Sequence, residues 1–174
     1  MAFAQHNGLA RFQSVQVYYS IVGRDIERDI VPMAQAEGIA ILPWSPLAGG
    51  LLSGKLDPGR QGPEGARRTT FDFPPVDRER LPRVLAALRK VAAETGASAA
   101  RVALAWHLSH PFVTSVIIGA KTREQLADNL AATSLSLSTE QINDLDEASA
   151  IPPEYPGWMV SFQNNCDPRG TPGK

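Results

Sequence analysis

A chain of 174 residues, 43% hydrophobic and 20% charged, carries enough apolar material for one globular unit and too much for a disordered tail. Its 17 basic and 18 acidic residues leave a net charge of −1, which excludes a global field favouring nucleic acid or an anionic membrane. No apolar run approaches the ~20 residues that span a bilayer, the N-terminus lacks the order of a secretory signal, and the lone Cys166 cannot close an intramolecular disulfide, so a soluble, cytoplasmic, reducing setting is expected.

Phe12 to Tyr18, rich in β-branched and aromatic residues, reads as a strand. Asp25 to Glu37 reads as a helix with Ile26, Ile30, Met33 and Ala34 on one face and Gly38 placed to end it. Ile39 to Trp44 is a nearly continuous apolar run, as in a strand buried on both sides. From Ser45 to Asp77 glycine and proline dominate without periodicity, which predicts a long loop of the kind often used for function.

Periodicity returns at Arg78. Leu81, Val84, Leu85, Leu88, Val91 and Ala92 form a helical stripe up to the Thr95-Gly96 stop. Ser98 to Ser109 is apolar nearly all round, with Val102, Leu104, Ala105, Trp106 and Leu108, so it predicts a buried helix ended by Pro111. Val113 to Ile118 predicts a third strand, followed by a Gly119-Ala120-Lys121 turn. Thr122 to Ala131 is a helix opened by a Thr122-x-x-Gln125 capping box, and Thr139 to Ser149 is a last amphipathic helix with Ile142 and Leu145 inward. Residues 1–162 are thus expected to form one unit and 163–174 an irregular tail. Three parallel strands with right-handed crossovers leave two open edges, and 174 residues fall short of the ~250 of an eight-stranded barrel. The pattern is part of such a barrel or a small doubly wound sheet.

Three segments carry candidate chemistry. Trp44-Ser45-Pro46-Leu47-Ala48-Gly49-Gly50, running on to Lys55, sets an aromatic, a hydroxyl and glycines past the C-terminal end of a buried strand. That end is where ligands bind in parallel α/β folds, and glycines there let backbone N–H groups approach phosphate. The plainer alternative makes Trp44 core and the glycines loop punctuation. Gly119-Ala120-Lys121 feeds a helix N-terminus, a ready anion site, with Gln125 and Asn129 one turn apart; alternatively Gln125 only caps, and Lys121 and Asp128 are surface charges. Gln16, between Val15 and Val17, either faces solvent or turns an amide into a barrel interior, where it needs a partner. His107 and His110 suit packing or a helix-dipole role better than a metal pair.

Taken together, Gln16-Val-Tyr-Tyr-Ser20, Gly23-Arg-Asp-Ile-Glu-Arg28, Trp44-Ser-Pro-Leu-Ala-Gly-Gly50, Gly119-Ala-Lys121 with Gln125 and Asn129, and Pro152-Pro-Glu-Tyr-Pro-Gly-Trp158 resemble the aldo-keto reductase family, bacterial branch, across roughly Phe3 to Phe162. The resemblance implies an α/β fold: the last three strands, with their helices, of a partial (β/α)8 TIM barrel. It implies an NADP(H) site in which Gln16 bonds the carboxamide and Trp44 stacks on the nicotinamide. Ser45, Pro46, Leu47, Ala48, Gly49 and Lys55 would line the pyrophosphate. Gly119, Lys121, Gln125, Asp128 and Asn129, with Arg67 as a weaker candidate, would hold the 2′-phosphate end.

The same resemblance implies a truncated, C-terminal half of an oxidoreductase that reduces aldehydes or ketones. The family's catalytic Asp, Tyr, Lys and His belong to its other half, so no catalytic residue is expected here and the isolated chain is expected to be inactive. A carbonyl substrate is expected only when the site is completed, and the open strand edges favour self-association. A non-catalytic NADPH-binding or assembly module, or a degenerate remnant, is the alternative.

Overall fold

The computed structural model describes residues 2–54 and 71–159. Lys55, Arg67, Cys166 and the expected tail over 163–174 lie outside the described residues. After a five-residue exposed helix, α1 (Ala2–His6), the valines flanking Gln16 favour extended backbone and form β1 (Ser14–Tyr18). A 3-10 turn over Asp25–Glu27 leads into α2 (Ile30–Glu37), where the Asp29 side chain accepts from the Ile30 amide. Gly38 ends α2 in the left-handed conformation, φ 64°, which glycine enters without a Cβ penalty. β2 (Ala40–Trp44) then pairs with β1 in parallel, Ser14 opposite Ala40 through Tyr18 opposite Trp44.

Side chains alternate across this ribbon. Val15, Val17, Ile41 and Pro43 share the face that joins the hydrophobic core. Ser14, Gln16 and Tyr18 share the other face with Ala40, Leu42 and Trp44; Ser14 and Gln16 are exposed and the rest half-buried. β2 is therefore buried on one side, not on both as its composition suggests.

The core is built by α3 (Leu81–Thr95), α4 (Ala99–Ser109) and α6 (Thr139–Ser149). Leu81, Val84, Leu85, Leu88 and Val91 of α3 are all buried, each contributing about 1.5–3 kcal/mol by leaving water. They meet Val102, Ala103 and Trp106 of α4 and Leu145 of α6 in one cluster. The Ser98 side chain caps α4 by accepting from the Arg101 amide, 3.0 Å. Ser138 and Gln141 cap α6 reciprocally at 3.2 and 3.0 Å. Between them α5 (Arg123–Leu130) starts at Thr122, whose Oγ1 accepts from the Gln125 amide, 3.3 Å. Two side chains depart from the expected stripes. Met33 points to solvent while Val31 takes its place in the core, because the 3-10 turn shifts the phase before α2 begins. Leu108 is likewise exposed at the end of α4.

The expected third strand is the main correction. Residues 113–118 run alongside β2 but make a single parallel bridge, Ile41 to Val113. The Thr114 amide donates to Ile41 O at 3.0 Å and the Ile117 amide to Pro43 O at 2.9 Å. The bond that should come between them is an amide of residue 43 donating to Thr114, and proline has no N–H to give. Pro43 leaves that bond unmade, and the next contact falls on Ile117 where a regular parallel ladder would use residue 116, a slip of one residue, so the regular sheet has two strands among the described residues. Among those residues no helix is long and apolar enough to cross a membrane.

Candidate functional site

The site is assembled where β1, β2 and the 113–118 segment leave the sheet in the same direction. Gln16 stands opposite Leu42, two residues before Trp44 on the same face. The Gln16 side chain makes no hydrogen bond with other described residues. Tyr18 lies beside Trp44, ring centroids 5.3 Å apart at 42°. It is kept there by Gly23: a Cβ on that residue would come within 2.4 Å of the Tyr18 ring, and the Tyr18 and Ser20 hydroxyls bond at 2.9 Å.

Beyond Trp44 the backbone turns sharply. Ser45 at φ 53° and Ala48 at φ 49° occupy the left-handed region, followed by Gly49 at 67° and Gly50 at 94°. Non-glycine residues pay about 1–2 kcal/mol for that conformation, so the loop must be held by its surroundings. The Ala48 amide donates to Ser45 O (2.8 Å), Gly49 to Ser45 Oγ (3.2 Å) and Gly50 to Leu47 O (2.9 Å). Leu51 and Leu52 bury themselves in the core just after. His107 meets the loop from below, Nε2 donating to Pro46 O at 3.4 Å. Its Nδ1 is buried without a partner among the described residues, and burial pushes its pKa down to about 3, so the ring is neutral.

The second turn is stapled by its own helix. Gln125 Oε1 accepts from the Lys121 amide at 2.8 Å, and Asn129 Nδ2 donates to Gly119 O at 3.5 Å. Asn129 is buried while Gly119 and Lys121 are exposed. The Ile117–Pro43 hydrogen bond aligns this turn with the end of β2, so Gly119 and Ser45 each follow that contact by two residues. Asp128 accepts from Ser98 Oγ and from Arg101 at 2.6 and 3.1 Å, tying α5 to the start of α4.

The structure thus brings Gln16, Trp44, Ser45–Gly49 and the Gly119–Lys121 turn, with Gln125 and Asn129, to one end of the sheet, and gives Asp128 a structural ion pair. Sequence reasoning missed Tyr18, Gly23 and Phe73, whose ring stacks on Trp44 at 5.9 Å and 13°. The Phe71-x-Phe73-Pro74-Pro75 run, apolar inside a glycine-rich loop, was the available signal. A separate shallow hollow, lined by Asp77, Arg80, Arg83, Glu147 and Ile151, lies between α3 and the end of α6 and includes none of these residues.

An α/β chain with a glycine-rich turn after a parallel strand defines the class of ligand-binding folds described above. The profile of the aldo/keto reductase family matches residues 1–150, and the chain belongs to that family. It is 36% identical over 144 residues to the uncharacterized oxidoreductase YrpG of Bacillus subtilis, covering 80% of this chain and 42% of that protein. It is 38% identical over 149 residues to the uncharacterized oxidoreductase Rv2298 of Mycobacterium tuberculosis, covering 85% and 46%. It is 30% identical over 164 residues to versiconal hemiacetal acetate reductase of Aspergillus parasiticus, covering 88% and 45%. The chain spans less than half the length of these relatives.

Proposed function

We propose that this chain, with the general oxidoreductase character of its family, forms the NADPH-binding portion of a (β/α)8 reductase of aldehydes or ketones. The observation that carries the reading is the placement of an exposed amide, Gln16, and an aromatic platform, Trp44, on one sheet face at its C-terminal end. A planar ring bearing a carboxamide fits that pair: one group offers stacking, the other a donor and an acceptor. Exposed Lys121 suits an additional phosphate, favouring NADPH over NADH. When bound, the cofactor would supply a hydride.

Reduction of a carbonyl also requires a proton donor within ~3 Å of its oxygen. We place that donor, and most of the substrate pocket, on polypeptide outside these 174 residues. Support comes from the family's tetrad lying in the part that the resemblance does not reach. The side of β1 that has no partner strand among the described residues supports association with further barrel strands, or with a second copy.

Titration of the purified chain with NADPH and NADH, followed by carbonyl-dependent NADPH oxidation, tests the proposal. Expected are weak binding with NADPH preferred, loss of that preference in Lys121→Ala, loss of binding in Trp44→Ala, and no turnover above background. Turnover by the isolated chain would reveal a proton donor within it; failure to bind NADPH would remove the cofactor reading.

A further inference from the structure

Trp44 does not offer a bare ring. Phe73 lies on it nearly parallel, 13° between planes and 5.9 Å between centroids, and Phe71 packs on Phe73 at 5.4 Å. The Phe73 amide donates to Phe71 O at 2.9 Å, which folds the short segment back on itself. Neither phenylalanine is a core residue: Phe73 remains 39% exposed and Phe71 53%. Tyr18 crowds the same indole from the neighbouring strand at a tilt. An aromatic face accommodates one stacked ring at a time. A ring already seated on it must leave before another can arrive.

We propose that Phe73 is a built-in competitor for the Trp44 platform, so that a dinucleotide binds with its nicotinamide ring only by displacing the Phe73 side chain. The inference rests on the cofactor reading of the site. Its physical content is a linkage: a contact made only in the ligand-free state lowers apparent affinity by the population it holds. The Phe73 stack is held by its contacts with Trp44 and Phe71 and by a short backbone turn, and its side chain stays partly exposed, so the competition is modest. It also acts on one end of the ligand alone. The adenosine end would be met at the Gly119–Lys121 turn, where no aromatic side chain is described.

The test compares the parent chain with Phe73→Ala and Phe73→Leu, titrated with NADPH and, separately, with adenosine 2′,5′-bisphosphate, which lacks the nicotinamide. In Phe73→Ala, NADPH affinity is expected to rise about 3- to 10-fold, the worth of one aromatic stack. Phe73→Leu, which covers the indole without stacking, should fall between. Affinity for the bisphosphate should stay within twofold in all three proteins. In the ligand-free chain, the Trp44 indole N–H resonance should shift on Phe73→Ala, reporting the lost ring current, while circular dichroism stays unchanged. NADPH affinity that is unaltered or weaker in Phe73→Ala, with the bisphosphate still bound, would overturn the competition and leave the cofactor site standing. Absence of binding by either ligand to every variant would overturn both.

Discussion

Arg24 Nη1 lies 2.9 Å from Asp146 Oδ1, joining the turn after β1 to α6 across 122 positions of sequence. The same guanidinium forks onto Glu27 at 2.8 and 3.0 Å, reaches Ser149 Oγ at 2.7 Å and sits 5.4 Å above the Trp106 ring. Tyr19 donates to Glu27 at 2.6 Å and Trp106 Nε1 to Asp146 at 3.1 Å, so one cation satisfies the acceptors of a buried aromatic layer. Burial works against the charge, yet the Glu27 bonds prevail and raise the Arg24 pKa. Removing the cation strands two carboxylates, and Arg24→Met is expected to cost about 3 kcal/mol in urea unfolding, the low end for a buried pair because Asp146 is partly exposed. Arg24→Lys keeps the charge but not the fork and should lose about half as much. A loss under about 1 kcal/mol for Arg24→Met would show the network to be dispensable.

His107 makes stability depend on pH. An unfolded imidazole protonates near pH 6.5, whereas the buried native ring stays neutral to about pH 3. Between those values the unfolded state holds the extra proton, so the native state is fully favoured above pH 6.5 and loses ground as pH falls. At pH 5 the loss attributable to this ring is about 2 kcal/mol. Tyr19 and His110 are the titratable neighbours: burial first, then Glu27, raise the Tyr19 pKa, so it stays un-ionised throughout the window. Unfolding of the parent and of His107→Leu at pH 7 and pH 5 should show the smaller drop in the variant. Equal drops would mean that the ring takes up its proton in the native state.

How far the sequence is legible depends on which force fixes each element. Helices α3, α4 and α6 are set by apolar periodicity and local caps, and they fall within a few residues of their expected bounds. The Gly38 and Gly96 stops are equally local, since each needs only its own left-handed φ. Met33 was misjudged because the preceding 3-10 turn alters the helical phase, a change no 3.6-residue template contains. The Asp128–Arg101 and Phe73–Trp44 contacts are beyond sequence reasoning for another reason: the partners stand 27 and 29 positions apart, and only folding decides the match. The Pro43 interruption was readable. A proline inside an apolar run states which ladder bond is missing, but not whether that edge of the strand needs it.

Ala48 and Ala103 are both wholly buried alanines, and they should respond oppositely to the same change. Ala103 sits inside α4, where glycine loses about 1 kcal/mol of helix preference and about 0.8 kcal/mol of methyl burial. Ala48 sits at φ 49°, where glycine recovers about 1–2 kcal/mol of backbone strain and offsets that loss. Ala103→Gly is expected to destabilise by about 2 kcal/mol, and Ala48→Gly to fall within about 1 kcal/mol of the parent. Matching losses at the two sites would show that the turn after Trp44 carries no strain.

Pro43 gives the sharpest test of the sheet. It is fully buried in β2, opposite Val17, and its carbonyl already accepts from the Ile117 amide at 2.9 Å. Pro43→Val preserves apolar volume and β preference while adding one amide directed at Thr114. The pairing that begins at Ile41 and Val113 should then extend by one hydrogen bond, to Thr114 O, with the slip at Ile117 left beyond it. The new hydrogen bond is worth about 1 kcal/mol if its geometry is sound. Hydrogen exchange reads the outcome directly: the amide of the introduced valine should be protected to the same degree as that of Thr114. If that amide exchanges freely, the slip between Thr114 and Ile117, and not the missing N–H of Pro43, keeps the segment from joining β2.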